Sequence, residues 1–318
     1  MITELSEVAI EYGLTVRKVL ESAGGDRLAQ MAEAEPDRRE ELVAPILAEL
    51  GAWDLDPRSG ADEAEAAAAL CRSAGYWAVA YPVAERLGRP RDVEADGLLV
   101  VNPDVPAAPV ADLPLHWVAV DLDGRRSMAV PRAGTAHAHR DVFVRALELE
   151  PLDDKGADDV SLGLVLPCWT LLGMLDRALE LTRHHVLERR QFGQPLAAFQ
   201  GVQFQLTDGE VERVGLEELA KYALWSIESG DPAALNDALA LRAAALQAAE
   251  IVFRVAHQLH GAIGFCDETA LSWVSRASVP LRRLPFGTSA TRAKLTRSMG
   301  RQGLPGLFNV DRSGSSAR

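Results

Sequence analysis

The sequence predicts a mainly α-helical protein with a small β region in its middle. Apolar residues recur at helical spacing over residues 1–92, an N-terminal helical domain, and again over residues 153–302, a C-terminal four-helix bundle. Between them, residues 93–152 contain short apolar runs separated by Pro, Gly and Asp, a pattern typical of strands and turns. Residues 303–318 include Ser-Gly-Ser-Ser, and we expect them to form a flexible tail.

The N-terminal domain is predicted from its alanine content and from the spacing of its larger apolar residues. Alanine favours helix, and the pattern continues through residues 66–70. Pro82 and the Gly-Arg-Pro sequence at 88–90 end the domain, because proline and glycine interrupt helices. The apolar residues near helical spacing are Leu28, Met31, Leu42, Ile46 and Leu50.

The β region is predicted from short apolar runs rather than from a helical period. Asp123-Gly124 lies between two of these runs and is a typical hairpin turn. Trp117 opens one of the runs and stands without a second tryptophan nearby. The predicted strands contain residues 98–101, 117–120, 128–130 and 142–144.

The bundle is predicted as a series of long helices after residue 160. We expect the first of them despite Pro167 near its start. Thr288 or Ser289 is a plausible N-cap for the last helix, because hydroxyl side chains accept bonds from free backbone N–H groups. We expect helices over 162–188, over 199–229, from 233 to 260, and from 288 onward.

Composition excludes several classes of function. The net charge of -13 argues against a general nucleic-acid binder, which needs basic patches for phosphates. No run reaches about 18 uncharged apolar residues, so we expect no membrane span. The N-terminus has neither a basic segment nor an apolar core, which predicts no signal peptide and a cytoplasmic protein.

The cysteines and histidines do not form a metal pattern. Cys71, Cys168 and Cys266 are too widely spaced for a metal site or a disulfide framework, and we expect each to be a small buried residue. His257 and His260 have no Cys, Asp or Glu at ligand spacing, so we interpret them as structural or facing solvent.

Three segments carry a resemblance to a known family. Residues 189–195 read Arg-Arg-Gln-Phe-Gly-Gln-Pro, and residues 257–265 read His-Gln-Leu-His-Gly-Ala-Ile-Gly-Phe. Residues 286–289 read Phe-Gly-Thr-Ser. In this order and at these separations, the segments resemble the C-terminal helical domain of the acyl-CoA dehydrogenases. The resemblance implies that family's order of domains, with a central β region too short to contain the segments that line a flavin ring.

The resemblance also implies contacts with FAD that is held mainly by a neighbouring subunit. The arginine in the position of Arg189 reaches the pyrophosphate there, and a planar guanidinium suits phosphate oxygens. Read without the family, Arg189 is a solvated surface residue, Phe192 a core residue, and Gln258 a polar helix end. The implied FAD contacts of this chain are Arg189, Gln191, Phe192, Gln258, Gly261 and Ala262.

The catalytic base of the family is missing from this chain. The family glutamate usually precedes the Gly-Thr pair, where this sequence has Phe286. Some members place it about 26 residues before the arginine, where this sequence has Gly163. Neither side chain takes a proton, so we predict no catalytic residue. Asp158 and Asp159 lie a turn too early for the second position, and Glu268 is the nearest acid in the helical region of the first. We regard Asp158 and Glu268 as weak candidates for a base.

These features leave alternative functions open. The chain resembles the shortened subunit of α2β2 acyl-CoA dehydrogenases of actinobacterial steroid side-chain breakdown, in which a partner subunit provides the base. That resemblance implies FAD, a bulky acyl-CoA substrate and an electron-transfer flavoprotein or similar acceptor. The alternatives are a non-catalytic scaffold or binding protein, and a homomeric dehydrogenase with an unrecognised base.

Overall fold

The structure is a computed structural model that describes residues 4–110, 113–132 and 143–300. It confirms the mainly helical fold with a small central sheet. The tail predicted at 303–318 lies outside the described residues. The predicted domain boundaries remain predictions, since one buried apolar cluster runs through all three regions, from Val16 to Val274.

The N-terminal region is helical, as predicted. Ser6 caps the first helix, where its hydroxyl accepts a bond from the Ala9 N–H at 3.3 Å. Small alanines on one face of the fourth helix let it pack closely against its neighbours. The helices are α1 (Glu7–Ser22), α2 (Asp26–Ala34), α3 (Arg39–Glu49), α4 (Ala61–Tyr76) and α5 (Val83–Leu87).

The central region forms a mixed sheet with strand order β1-β3-β4-β5-β2. The β1 and β3 strands pair in parallel, whereas β3, β4 and β5 pair antiparallel. Gly124 adopts a φ of 77° in the turn between β3 and β4, which confirms the predicted hairpin. The strands are β1 (Gly97–Val100), β2 (Ala107–Ala108), β3 (Trp117–Val120), β4 (Arg125–Pro131) and β5 (Arg145–Lys155).

One strand of this sheet differs from the sequence prediction, and the structure places Trp117 in the core. The strand predicted at 142–144 is wrong, because β5 begins at Arg145 and continues through polar residues, while residue 142 lies outside the described ranges. Trp117 is fully buried, so it belongs to the core between the sheet and the loops around it.

The C-terminal helices follow the predicted order. A short hairpin, β6 (Arg190–Gln191) and β7 (Gln194–Pro195), separates the first two of them. The α9 helix was not predicted, and Gly287 rather than Thr288 or Ser289 is the N-cap of α10, so that cap prediction is wrong. The helices are α6 (Ala157–Glu188), α7 (Gln200–Glu228), α8 (Ala234–His260), α9 (Ala270–Arg283) and α10 (Thr288–Met299).

The α6 helix is the centre of the fold and packs against helices of both helical regions and against β1. Within the described ranges it is the helix that is long and apolar enough to cross a membrane, yet 72% of its most apolar window is buried inside the protein. It is therefore a core helix. Cys168 on α6 and Cys71 on α4 are buried as expected, but Cys266 is exposed, which corrects the prediction for that residue.

The crossing of α4 and α6 brings the two backbones into direct contact. A Cβ placed on Gly75 would lie 1.9 Å from the Thr170 carbonyl oxygen. A Cβ on Gly173 would lie 1.8 Å from the Arg72 carbonyl oxygen. Because no real side chain tolerates such distances, the two glycines fix how closely the N-terminal region packs on the bundle.

Buried and partly buried ion pairs join the regions that pack around α6. Arg126 of β4 donates to Asp159 at the start of α6, with 2.6 Å between Nη2 and Oδ2. Arg58 donates to the other oxygen of the same carboxylate at 2.7 Å. On the opposite side, Arg72 bonds Asp176 of α6 and Glu217 of α7, each at 2.7 Å. These pairs tie α6 to β4, to the segment between α3 and α4 and to α4 itself, and they tie α4 to α7.

We predict that Gly173→Ala destabilises the protein by about 3 kcal/mol, because α4 and α6 must separate to admit the methyl group. The measurement is the free energy of unfolding in urea. Gly215→Ala is the matched control, since Gly215 lies in α7 with no described atom within 4 Å of an added Cβ. It should stabilise α7 by about 0.5 kcal/mol. Equal effects of the two substitutions would contradict the role of the crossing.

Candidate functional site

The structure brings two of the three family-like segments together at one end of the bundle. The β6–β7 hairpin follows the last turn of α6, and a 3₁₀ turn over Gly261–Phe265 follows the last turn of α8. His185 and His260, in those last turns, stack with ring centroids 4.4 Å apart. Val186, Val255 and Leu259 form a small buried cluster below them. The β6–β7 hairpin and the turn after α8 are about 70 positions apart in the sequence, yet they form one surface. We call this surface the exposed edge.

The hairpin presents an aromatic side chain to solvent. Phe192 and Gly193 have φ values of 53° and 83°, the left-handed pair of a tight two-residue turn. A phenylalanine at positive φ is strained. Phe192 is 92% exposed, and its ring meets the Phe199 ring edge-on with 6.3 Å between the ring centroids. The interpretation of Phe192 as a core residue is therefore wrong. A strained and exposed aromatic residue indicates a surface that a ligand or another chain covers.

Arg189 and Gln191 lie on the same hairpin and are exposed. Among the described residues, no hydrogen bond or salt bridge holds the Arg189 guanidinium, and Glu188 pairs instead with His184 at 3.1 Å. By contrast, Arg190 donates to the Gly193 carbonyl at 3.0 Å and so stabilises the turn. Arg189 therefore keeps its donors available for an anion, and Arg190 has a local structural role.

The turn after α8 supplies the other predicted residues. Gly261 has a φ of 68°, which suits glycine at a helix end, and no described atom lies within 4 Å of an added Cβ. Gln258 and Ala262 are exposed beside it. Gly264 is different, because its added Cβ would lie 2.9 Å from the His260 Cβ. Gly261 leaves an open approach to the backbone, whereas Gly264 permits close packing of the turn.

Burial keeps the histidines of this edge neutral. Desolvation lowers the pKa of His185, and the nearby Arg189 lowers it further. Burial also lowers the pKa of His257, which bonds Ser275 Oγ at 2.9 Å and stacks on Phe265 with ring centroids 4.2 Å apart. In the described part of the chain, no group of three or more His, Cys, Asp or Glu side chains is placed to hold a metal ion. The structural interpretation of His257 and His260 fits these contacts.

The exposed edge fits part of a dinucleotide cofactor but does not enclose one. Its free guanidinium suits phosphate oxygens, its amide side chains can bond hydroxyl or ring atoms, and Phe192 offers an apolar face. Every one of the predicted FAD-contact residues is exposed. Such a surface can contact a cofactor held mainly by another chain, because a site that binds a ligand by itself buries most of it.

The positions of the family base lie elsewhere, beside a small cavity that is partly open to solvent. This cavity has a volume of ≈ 30 Å³, and its wall includes Gly163, Arg242 and Pro285. Phe286 is buried and packs under the Lys294 ammonium, with 3.9 Å from Nζ to the ring centroid. Since ligand pockets usually measure about 300–1,000 Å³, this cavity is too small for an acyl chain.

Arg242 lines this cavity from α8. Its guanidinium is buried and donates to the backbone carbonyls of Leu281, Leu284 and Phe286, the last at 2.9 Å. We call this set of bonds the Arg242 clamp. It holds the segment between α9 and α10, which carries the position of the missing base. A Cβ on Gly163 would lie 2.6 Å from Val100 Cγ2, so the second base position has no room for a carboxylate.

Glu85 is a residue of this cavity that the sequence did not single out. It lies on α5 and lines the wall, where burial raises the pKa of its carboxyl to about 7. A lone glutamate in the short α5 helix carries no sequence signal, because its burial depends on β1 and α6 packing over it. Asp158 and Glu268 are exposed and do not line the cavity.

Comparison with known proteins agrees with this geometry. Residues 165–298 match the family described as acyl-CoA dehydrogenase, C-terminal domain. The 3-sulfinopropanoyl-CoA desulfinase of Paraburkholderia xenovorans is 28% identical over 197 residues, which cover 58% of this chain and 46% of the relative. The chain thus matches less than half the length of that relative.

Solved structures of similar fold include heteromeric assemblies. The ChsE4-ChsE5 complex from Mycobacterium tuberculosis contains a chain that matches with a TM-score of 0.70 at 19% identity, over 94% of this chain and 99% of that chain. A variant of the Tcur3481-Tcur3483 steroid ACAD matches with a TM-score of 0.72 at 19% identity, over the same shares of both chains. At this level of identity, the likeness shows the fold.

We predict that Arg242→Ala destabilises the protein by about 3 kcal/mol, because carbonyls of the 281–286 segment lose their donor inside the protein. Urea unfolding measures the loss. Arg254→Ala is the matched control, since Arg254 is exposed on the same helix, and it should change stability by less than about 0.5 kcal/mol. Similar losses in both variants would show that the Arg242 clamp has no special role.

Proposed function

We propose a function from one premise: this chain has the acyl-CoA dehydrogenase fold, and its residues 165–298 match that family's C-terminal domain. Members of the family are FAD-dependent oxidoreductases. The proposed function is that of a subunit in a heteromeric acyl-CoA dehydrogenase, an α2β2 heterotetramer. This chain contributes contacts to FAD across the subunit interface, and the partner subunit contributes the catalytic base.

One contrast within the structure supports this proposal most strongly. The cavity beside the base positions measures ≈ 30 Å³ and is lined by Gly163 and Pro285, and the neighbouring Phe286 is buried. The exposed edge is open instead, with Arg189 and Phe192 both directed to solvent. A chain that has lost its own site but kept contacts for a neighbour's cofactor needs a neighbour that has a complete site.

Each residue of the exposed edge has a physical task in this proposal. The Arg189 guanidinium would donate to pyrophosphate oxygens and neutralise part of their charge. Gln258 would donate from its side-chain amide, and Gly261 would let the backbone approach the adenosine portion. Phe192 would cover the cofactor and exclude water. The bound flavin supplies the chemistry of hydride acceptance from the substrate β-carbon.

The substrate and the remaining partners are extensions of the same proposal. We propose a bulky acyl-CoA, derived from a steroid, because one of the similar structures is described as a steroid ACAD. One active site for every two chains leaves a wide space for such a substrate. Electron-transfer flavoprotein or a similar carrier would accept the electrons, and the cytoplasm is the proposed location.

A non-catalytic scaffold or binding protein is the alternative. The small cavity agrees with it equally well. The exposed edge favours the dehydrogenase subunit, because a scaffold has no need of an arginine that lacks a partner among the described residues beside a strained, exposed phenylalanine. A homomeric dehydrogenase would need Glu85 as its base, and the cavity beside Glu85 does not admit a substrate.

The test is co-expression of this chain with each base-bearing acyl-CoA dehydrogenase encoded beside it. We expect about one FAD for every two chains, activity in the pair alone, and a poorly soluble or colourless product when this chain is expressed by itself. The measurements are flavin absorbance per complex and acyl-CoA oxidation. A yellow and active homotetramer of this chain would refute the proposal, and the absence of both complex and flavin would favour the scaffold.

We predict that Arg189→Ala weakens FAD retention by the complex about 10- to 100-fold, since a charge-assisted bond contributes about 1.5–3 kcal/mol. Equilibrium dialysis against FAD measures the change. Arg183→Ala is the matched control, because Arg183 is an exposed arginine of the same helix that lies before the hairpin. Full flavin occupancy of Arg189→Ala at low FAD would count against its assigned role.

We predict that Phe192→Asn affects the stability of the chain and the flavin retention of the complex in opposite directions. Asparagine tolerates positive φ, so the variant chain should be as stable as the original or more stable by up to about 1 kcal/mol. The loss of the exposed ring should nevertheless weaken flavin retention by the complex. Thermal unfolding and flavin absorbance measure the two effects. A variant that is less stable yet retains flavin would show that Phe192 serves the fold alone.

A further inference from the structure

The His185–His260 stack is a direct contact between the two halves of the exposed edge, next to the buried cluster of Val186, Val255 and Leu259. The rings lie 4.4 Å apart at an interplanar angle of 16°. His260 is oriented by its Nδ1, which is 2.9 Å from the Ala256 carbonyl oxygen. Both rings are partly buried, each in the last turn of its helix and immediately before a predicted FAD-contact segment. The position of one segment relative to the other therefore depends on this pair of rings.

The charges around the stack favour two neutral rings. Burial lowers the pKa of His260, the Ala256 bond raises it, and His185 and His257 lower it. For His185, burial and then Arg189 lower the pKa, while Glu188 raises it. Within residues 143–300, no carboxylate forms a salt bridge with either ring, because Glu188 pairs with the exposed His184.

The neighbouring elements offer little compensation for a positive charge at the stack. His257 of α8 bonds Ser275 of α9. The positive charge of Arg282, also on α9, lowers the pKa of His257 together with burial. On the hairpin side, His185 interacts with the Arg189 cation, which lowers its pKa, and to a lesser extent with the Glu188 carboxylate, which raises it. Protonation of both histidines would therefore place two like charges in stacking contact beside further cations.

We propose that the His185–His260 stack is a pH-sensitive joint that positions the hairpin against the Gly261 turn, and that it opens when both rings become protonated. The consequence for the cofactor rests on the function proposed above: opening would separate Arg189 and Phe192 from Gln258 and Gly261. The complex would then release flavin in mildly acidic conditions.

The direction of the pH effect follows from the lowered pKa of each ring. In an opened hairpin the histidines return to their ordinary pKa of about 6.5, so the open form binds more protons at a given acidic pH. The closed form is therefore unaffected above about pH 7 and loses stability as the pH falls below about 6.5. Each unit by which a pKa is lowered corresponds to a tenfold shift toward the open form.

Hydrogen exchange measured by mass spectrometry on the purified chain or complex tests the joint. The reporters are the amides of residues 189–199, among them Leu196, whose N–H donates to the Arg189 carbonyl at 2.8 Å. After correction for intrinsic rates, we expect opening of this segment to increase about tenfold between pH 7.5 and pH 5.5. Amides in the middle of α6 should show no such change.

Matched variants separate titration from packing. His185→Phe combined with His260→Phe keeps two stacked rings without a titrating group, and should make the hairpin protection independent of pH. His184→Gln removes a neighbouring exposed histidine, and should leave the pH dependence unchanged. A pH dependence that persists in the double phenylalanine variant, or that is absent from the original chain, would overturn the proposal.

The experiment also separates failure of the joint from failure of the proposed function. Hairpin exchange is measured in the chain itself and needs no flavin. A pH-dependent hairpin in a chain that never acquires flavin would support the joint and contradict the dehydrogenase role. A hairpin whose exchange does not change with pH, in a complex that contains flavin, would contradict the joint and support the dehydrogenase role.

Discussion

The close crossing of α4 and α6 at Gly75 and Gly173 is the constraint on which the rest of the structure depends. It fixes the position of α6, and α6 passes every functional feature of the molecule. Its start is held by Asp159 in the buried ion pairs of the sheet, and its middle forms a wall of the small cavity. Its end carries His185 and leads into the hairpin. A shift of this helix would therefore move the cavity and the exposed edge together.

The two ends of the site have opposite characters. At the cavity, the positions of the family base are occupied by residues that pack in the core and carry no carboxylate. Phe286 is buried, Gly163 contacts β1, and the Arg242 clamp holds the neighbouring segment in place. At the exposed edge, the chain presents an arginine without a side-chain partner among the described residues, and a strained phenylalanine that faces solvent. This division of properties within one chain is the reason for proposing a subunit that completes a site located mainly in another subunit.

Much of the fold was predictable because helical spacing and turn residues are local signals. The long helices and the Asp-Gly hairpin followed from the sequence alone. The α9 helix was missed because Pro280 and several serines weaken its local pattern, while its buried face depends on α6 and α8. The roles of Arg242 and Glu85 were invisible for a similar reason: burial of each is a tertiary property. The residues of the exposed edge were candidates from the sequence alone, but only the structure shows that their side chains are exposed to solvent.

The most direct test of the central claim is a cryo-electron microscopy map of the co-purified complex at a resolution that shows side chains. The account predicts one flavin for each pair of unlike chains, held mainly by the base-bearing partner, with Arg189 and Phe192 of this chain in contact with it. The cavity beside Arg242 should hold no acyl group. A flavin bound wholly within this chain, or an interface that leaves the exposed edge uncovered, would contradict the account.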